Sequence, residues 1–227
     1  MYYPGFIFLS IIFLVIGLIV GGMLKRRMAE YSQIPIESGM SGKEVAEKML
    51  RHYGINDVQI TCVEGQLTDH YNPANKTVNL STDVYHGRSV AAAAIASHEC
   101  GHAVQHATAY TWLSMRSAMV PAVSFASQWV QWILFLGVIM IKAFPMLLVI
   151  GVCLFAVTTL FSVITLPVEF DASRRALAWL DRANIMGKET HDKAANGLKW
   201  AASTYVIAAL ASIATLLYYL SMLNRRN

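Results

Sequence analysis

In the stretch SHECGHAVQH, residues 97–106, His98 and His102 flank Glu99. On a helix, residues four apart lie about 40° from each other around the axis, so both imidazoles project from one face and can hold a single ion. Imidazole nitrogen suits zinc. Glu99, about 100° round from His98, is better placed to reach a metal-bound water than the metal itself. That is the position of a general base. Zinc with three protein ligands and one open position brings its water to a pKa of about 7, and Glu99 takes the proton as that water attacks a carbonyl. Glu99 then returns the proton to the leaving amine.

Such a site needs a third ligand, and the candidates are His106, His191 and the carboxylates that follow the motif. His106 is one turn beyond His102, but three successive i, i+4 positions do not converge on one ion. It reads as a histidine of the helix surface or behind a ligand. Glu169 is the better choice, because it directly follows an apolar run in LPVEFDAS, where an unpaired carboxylate at the bilayer edge is costly. In a helix over 169–182, Glu169, Ala172, Ser173 and Ala176 share a face, and the three small side chains let this helix lie close to the one bearing the motif. Asp171 points about 200° away from Glu169. It can be a surface partner for Arg174 or Arg175, or can hold a ligand histidine from behind.

The elements that must bring these residues together are set by an apolar composition. Of 227 residues 56% are hydrophobic and 14% charged, and the mean hydropathy is +0.45, too apolar for an ordinary soluble domain. Four runs free of Asp, Glu, Lys and Arg, at 4–24, 117–141, 143–168 and 200–224, are each long enough to cross a hydrocarbon core of roughly 30 Å. The first has no basic leader and no Ala-x-Ala end, so it is expected to stay as an anchor. Three cysteines, Cys62, Cys100 and Cys153, without CxxC spacing imply no disulfide framework. The net charge of +4 does not indicate a nucleic-acid partner, because the basic residues gather at the ends of apolar runs, as at Lys25-Arg26-Arg27 and Arg174-Arg175. That pattern suits anionic lipid and topology.

The fold class expected is therefore an α-helical membrane protein with four transmembrane helices and a small α+β zinc-peptidase-like part. The division reads as 1–24, first membrane helix; 25–116, α+β insert with the motif helix; 117–168, a hairpin of membrane helices two and three; 169–199, the helical segment with the third ligand; 200–227, the fourth membrane helix and tail. Within the insert, 25–40 is a connector and Ser41-Gly-Lys-Glu44 a capping box opening a helix to about Tyr53, closed by Gly54. Residues 57–64 and 66–71 alternate as strands, NPAN at 72–75 turns, and KTVNLS at 76–81 is a further strand. Ser89 caps the Ala-rich motif helix. An even number of crossings separates 25–116 from 169–199, so the two polar segments share one side of the membrane. They carry most of the Lys and Arg, which places them inside the cell at the plasma membrane, with Arg225 and Arg226 on the far side.

LSTDVYHGRS leading into AIASHECGHAVQH, LPVEFDASRRA after the third run and AASTYV opening the fourth resemble the small bacterial integral-membrane neutral zinc metallopeptidases, relatives of the HtpX-like and CAAX-prenyl-protease membrane gluzincins. The resemblance covers most of the chain. It implies one zinc per chain, with His98, His102 and Glu169 as ligands and Glu99 as the catalytic glutamate. The wider HtpX-like pattern reads Glu-x-x-Ala-Asp, whereas Ser173 follows Ala172 here, so either Ser173 or Asp171 orients a ligand histidine. Such enzymes take substrate as an added strand on the edge of a small sheet. Residues 76–81, with Val78, Asn79 and Leu80, are the candidate edge. Arg175, His191 and Tyr205 are candidates to stabilise an oxyanion, against plainer readings of Tyr205 in an interface belt and His191 in a solvated turn. The partners implied are protein or peptide substrates at or near the membrane, and lipid. Two rivals are an inactive metal-binding membrane scaffold, which an intact Glu99 argues against, and a metal-gated transporter, which the uncharged spans argue against.

The side assignment is open to test by labelling. A single cysteine in the NPAN turn (Asn75→Cys), in a chain freed of its native cysteines, is expected to resist an impermeant thiol reagent added to intact cells and to react after permeabilisation. Labelling of intact cells would put the polar segments outside.

Overall fold

A computed structural model describes residues 4–224; the expectation for Arg225 and Arg226 lies outside the described residues. Among the described residues, four helices are long and apolar enough to cross a membrane: α1 (Pro4–Tyr31), α5 (Thr111–Ile139), α6 (Pro145–Arg182) and α7 (Lys188–Asn224). Between α1 and α5 lie α2 (Gly42–His52), β1 (Gln59–Val63), β2 (His70–Asn72), β3 (Thr77–Ser81), α3 (Thr82–His86) and α4 (Val90–Ala107). The protein is thus a helical membrane protein with a small α+β part. The described residues form two compact units.

The first unit comprises residues 4–19, Ser114–Leu166 and 204–224. Its helices turn large apolar side chains outward, with Phe8 and Leu18 each 67% and Phe125 62% exposed. That surface suits hydrocarbon and would be prohibitive in water. A small core of Val130, Leu134, Leu148 and Val152 binds the helices to one another, with Leu216 and Tyr219 packed on it. A Cβ added at Gly137 would meet the Leu148 backbone at 2.7 Å, so the glycine is what lets α5 and α6 approach.

The second unit comprises Val20–Leu113 and Pro167–Ser203. The capping box at its start is present: Glu44 N donates to Ser41 Oγ at 3.3 Å, and Ser41 N donates to Glu44 Oε2 at 2.6 Å. Val45, Ala46, Met49 and Leu50 form the buried stripe of α2, which joins the alanines of α4 in one core. Ser89 caps α4 by accepting from Ala92 N, and Ala91 to Ala94 are all buried. Helices α4 and α6 touch through backbone. A Cβ at Gly101 would lie 2.6 Å from the Ala172 carbonyl oxygen, and Ala172 and Ala176 are fully buried beside it.

Several boundaries differ from the expected ones, each for a physical reason. The connector expected over 25–40 is helical as far as Tyr31, because Tyr31 is buried and its hydroxyl donates to Asn196. The strand expected over 66–71 is reduced to His70–Asn72. Gly65 and Leu67 adopt positive φ, and the Asp69 carboxylate takes the Ser81 N–H at 2.7 Å in place of a ladder carbonyl. Helices α6 and α7 run on beyond the apolar runs, so His191, expected in a turn, is in the first turn of α7.

The sheet order is β1-β3-β2, with β3 parallel to β1 and antiparallel to β2. This overturns the expectation that Val78, Asn79 and Leu80 form a docking edge. β3 is the central strand, its backbone is engaged on both sides, and all three residues are buried. The edges belong to β1 and β2.

Helix propensity alone would make Gly101→Ala stabilising by about 1 kcal/mol. The contact with Ala172 reverses the sign, and the expected result is a loss of about 1–3 kcal/mol, read as a lower unfolding midpoint of the detergent-solubilised chain. An unchanged or higher midpoint would show that α4 and α6 are not in backbone contact.

Candidate metal centre

Helix α4 supplies two of the converging groups and α6 the third, all within the second unit. His98 Nε2 stands 3.3 Å and His102 Nε2 3.7 Å from Glu169 Oε2, and the two rings are nearly perpendicular at 83°. Single ligand atoms from the three residues lie within 4.8 Å of one another. Glu169 is 4% and His102 8% exposed. A carboxylate so enclosed requires a cation or hydrogen-bond donors around it.

A group behind His102 fixes which of its nitrogens faces the cluster. Gln105 is fully buried on α4, and its amide nitrogen donates to the Val168 carbonyl at 2.8 Å and to Asp171 Oδ2 at 3.0 Å. Its oxygen is therefore an acceptor, and it lies 3.0 Å from His102 Nδ1. A neutral His102 must then carry its hydrogen on Nδ1, leaving the Nε2 lone pair directed at the Glu169 carboxylate. Two acceptors facing each other repel unless a cation stands between them. Burial works against a charge on His102, but the neighbouring Glu169 and Glu99 carboxylates outweigh it, so the ring holds a proton more tightly than an ordinary histidine. Ser173 Oγ lies 3.1 Å from His98 Nδ1 and contacts the second ring from behind.

These donors fit zinc. Two imidazole nitrogens and a carboxylate oxygen are the donor set of a three-ligand hydrolytic site, and bond lengths of about 2.0–2.2 Å in a tetrahedron put ligand atoms about 3.3–3.6 Å apart. The separations of 3.3 and 3.7 Å are close to that spacing. Cys100, between the histidines in sequence, is excluded. Its thiol points at the Ala46 carbonyl of α2 and is pushed far up in pKa by burial.

Glu99 is 8% exposed, and its Oε2 accepts the backbone N–H of Tyr71 at 2.9 Å. Tyr71 is the middle residue of β2, so this N–H is the one pointing away from β3. The Tyr71 hydroxyl lies 2.7 Å from His106 Nδ1, which accounts for His106 without ligation. Asp171 holds Gln105, Arg174 and Arg175 at once, with Arg175 Nε at 2.5 Å, and is itself buried. Asp171 pairs with both arginines but from a buried position, and it touches His102 only through Gln105. Arg175 also stacks over the Tyr110 ring, His191 Nε2 lies 3.1 Å from the Leu177 carbonyl, and Tyr205 belongs to the other unit and is 40% exposed. Gln105 and the Tyr71 amide were not anticipated. Gln105 had a signal, a lone amide one turn after His102 in an otherwise small-residue helix, whereas the Tyr71 contact depends on sheet order and had none.

Residues 6–224 match the family described as "Putative neutral zinc metallopeptidase". The chain is also 40% identical over 223 residues to a protein of Bacillus subtilis (strain 168) named "Putative membrane protease YugP", a match covering 98% of each chain. No solved structure matches the chain. With nearly its whole length aligned to both, and with two histidines and a glutamate gathered as a zinc peptidase requires, the chain belongs to this family of neutral zinc metallopeptidases.

Proposed function

We propose that the chain hydrolyses peptide bonds of proteins at or near the membrane, using one zinc ion held by His98 Nε2, His102 Nε2 and Glu169 Oε2. The observation that carries this reading is the meeting of Glu169 with both imidazoles in a cluster of buried lone pairs, although two apolar helices separate them in sequence. Zinc bound there supplies Lewis acidity, which polarises the scissile carbonyl and acidifies a water. Glu99 does the proton work: its carboxylate takes a proton from the attacking water and delivers it to the amine nitrogen as the C–N bond breaks. The Tyr71 N–H fixes Oε2 of that carboxylate, so the base is oriented before substrate arrives. Gln105 and Ser173 hold the two imidazoles from behind, and Asp171 with Arg174 and Arg175 anchors Gln105.

Strand addition falls to an edge strand, β2, since β3 is paired on both sides. The bias of basic residues supports a cytoplasmic position for the site, in the cell membrane.

Glu99→Gln is expected to leave zinc bound at one per chain, measured by elemental analysis of the purified protein, while peptide hydrolysis falls by about 10²–10⁴-fold. Hydrolysis within tenfold of the parent would remove Glu99 from the chemistry, and a parent chain that holds zinc but cleaves nothing would favour the scaffold reading. Gln105→Leu is expected to weaken zinc binding by about 10–100-fold with helix content unchanged. Unaltered zinc affinity, read by competition with a chromogenic chelator, would show that the amide does not orient His102.

A further inference from the structure

Amide side chains in the middle of a membrane helix are strongly disfavoured unless something answers their donors and acceptors. Helix α5 carries two, within a polar stripe. Ser124, Ser127, Gln128 and Gln131 fall within about 100° of one another around the helix axis, and all four are exposed. The face of α5 that packs within its own unit is a different one, made by Ala126, Val130 and Leu134, and is centred about 110° away. A third face bears Phe125, Trp129, Trp132 and Leu136, which are 62%, 50%, 66% and 46% exposed and suit lipid. The stripe is at mid-depth, since the charge-free run 117–141 has residue 129 at its centre. Neither glutamine amide has a hydrogen-bond partner among the described residues. A serine hydroxyl can return to a carbonyl of its own helix, but a helical glutamine amide cannot satisfy itself there.

We propose that this stripe is the interface between two copies of the chain. Copies inserted with the same topology can pair symmetrically only about an axis normal to the membrane, which sets each residue near its own counterpart at equal depth. Residues of such an interface must complement themselves. Glutamine and serine do so, because each carries both a donor and an acceptor, whereas a one-signed charge would repel its twin. Ser124 and Ser127 are also small enough to let the two α5 backbones approach. A groove of about 330 Å³ continues from Gln131 along Leu134, Val138 and the α7 residues Tyr219 and Met222, and offers a seat for apolar side chains of the facing helix.

The test uses the full chain in native membranes, co-expressed in two differently tagged forms. A photoreactive phenylalanine analogue at Phe135, which continues the stripe and is 60% exposed, is expected to cross-link one tagged copy to the other. The same analogue at Trp132, on the lipid face, is not. Gln128→Leu with Gln131→Leu removes the amides without adding a group that lipid disfavours, and is expected to raise the dissociation constant of the pair in lipid vesicles by about tenfold or more, measured by energy transfer between labelled copies, while Trp132→Leu leaves it unchanged. Monomeric parent chains in single-molecule photobleaching, an unaltered dissociation constant in the double variant, or cross-links from position 135 to a different protein only would each overturn the proposal. None of these outcomes bears on the zinc site, which lies in the other unit.

Discussion

Everything at the centre depends on how closely two helix backbones can approach. The histidines project from α4 and the glutamate from α6, and an imidazole and a carboxylate reach a common point only if the helices nearly touch. Gly101 lies between the two histidines, on the side that meets Ala172, and the absence of its Cβ sets the separation. The residue that carries no chemistry thereby decides whether the chemistry is possible. Ala172, whose carbonyl meets Gly101, and Ala176 one turn on are both fully buried, small side chains that suit close packing of α6.

A second constraint is electrostatic. The cluster of His98, His102 and Glu169 concentrates acceptors in a place with little water, and His102 is given a defined direction by groups further out. Arg174 and Arg175 neutralise Asp171, Asp171 and the Val168 carbonyl fix the Gln105 amide, and Gln105 fixes the His102 tautomer. The order runs from the exposed Arg174 and the partly covered Arg175 to a buried imidazole, so charge is compensated where water is near and direction is transmitted where it is not.

The four apolar helices and the grouping of His98, His102 and Glu169 were legible because each rests on a local rule: run length for the helices, i, i+4 spacing for the histidines, and the cost of a carboxylate at a bilayer edge for Glu169. What was not legible was non-local. That β3 is flanked on both sides cannot be read from KTVNLS, which as a strand is the same whether it is central or at an edge; the order β1-β3-β2 follows from tertiary pairing. The loss of strand at 66–69 was hidden because the alternation there is regular, and the Asp69 side chain that substitutes for the ladder is recognisable only once Ser81 is beside it. His191 looked solvated because its neighbours are polar, yet it bridges to α6 through the Leu177 carbonyl.

The bond from Tyr71 to Glu99 has a further consequence for the molecule outside its chemistry. A strand at the margin of a sheet is a template on which other chains can polymerise, and natural proteins blunt it by shortness or by a charge set against it. β2 has only three residues, and its one outward N–H is occupied by a buried carboxylate. The glutamate therefore covers the outward amide of that margin, and β2 presents no free outward N–H to another chain.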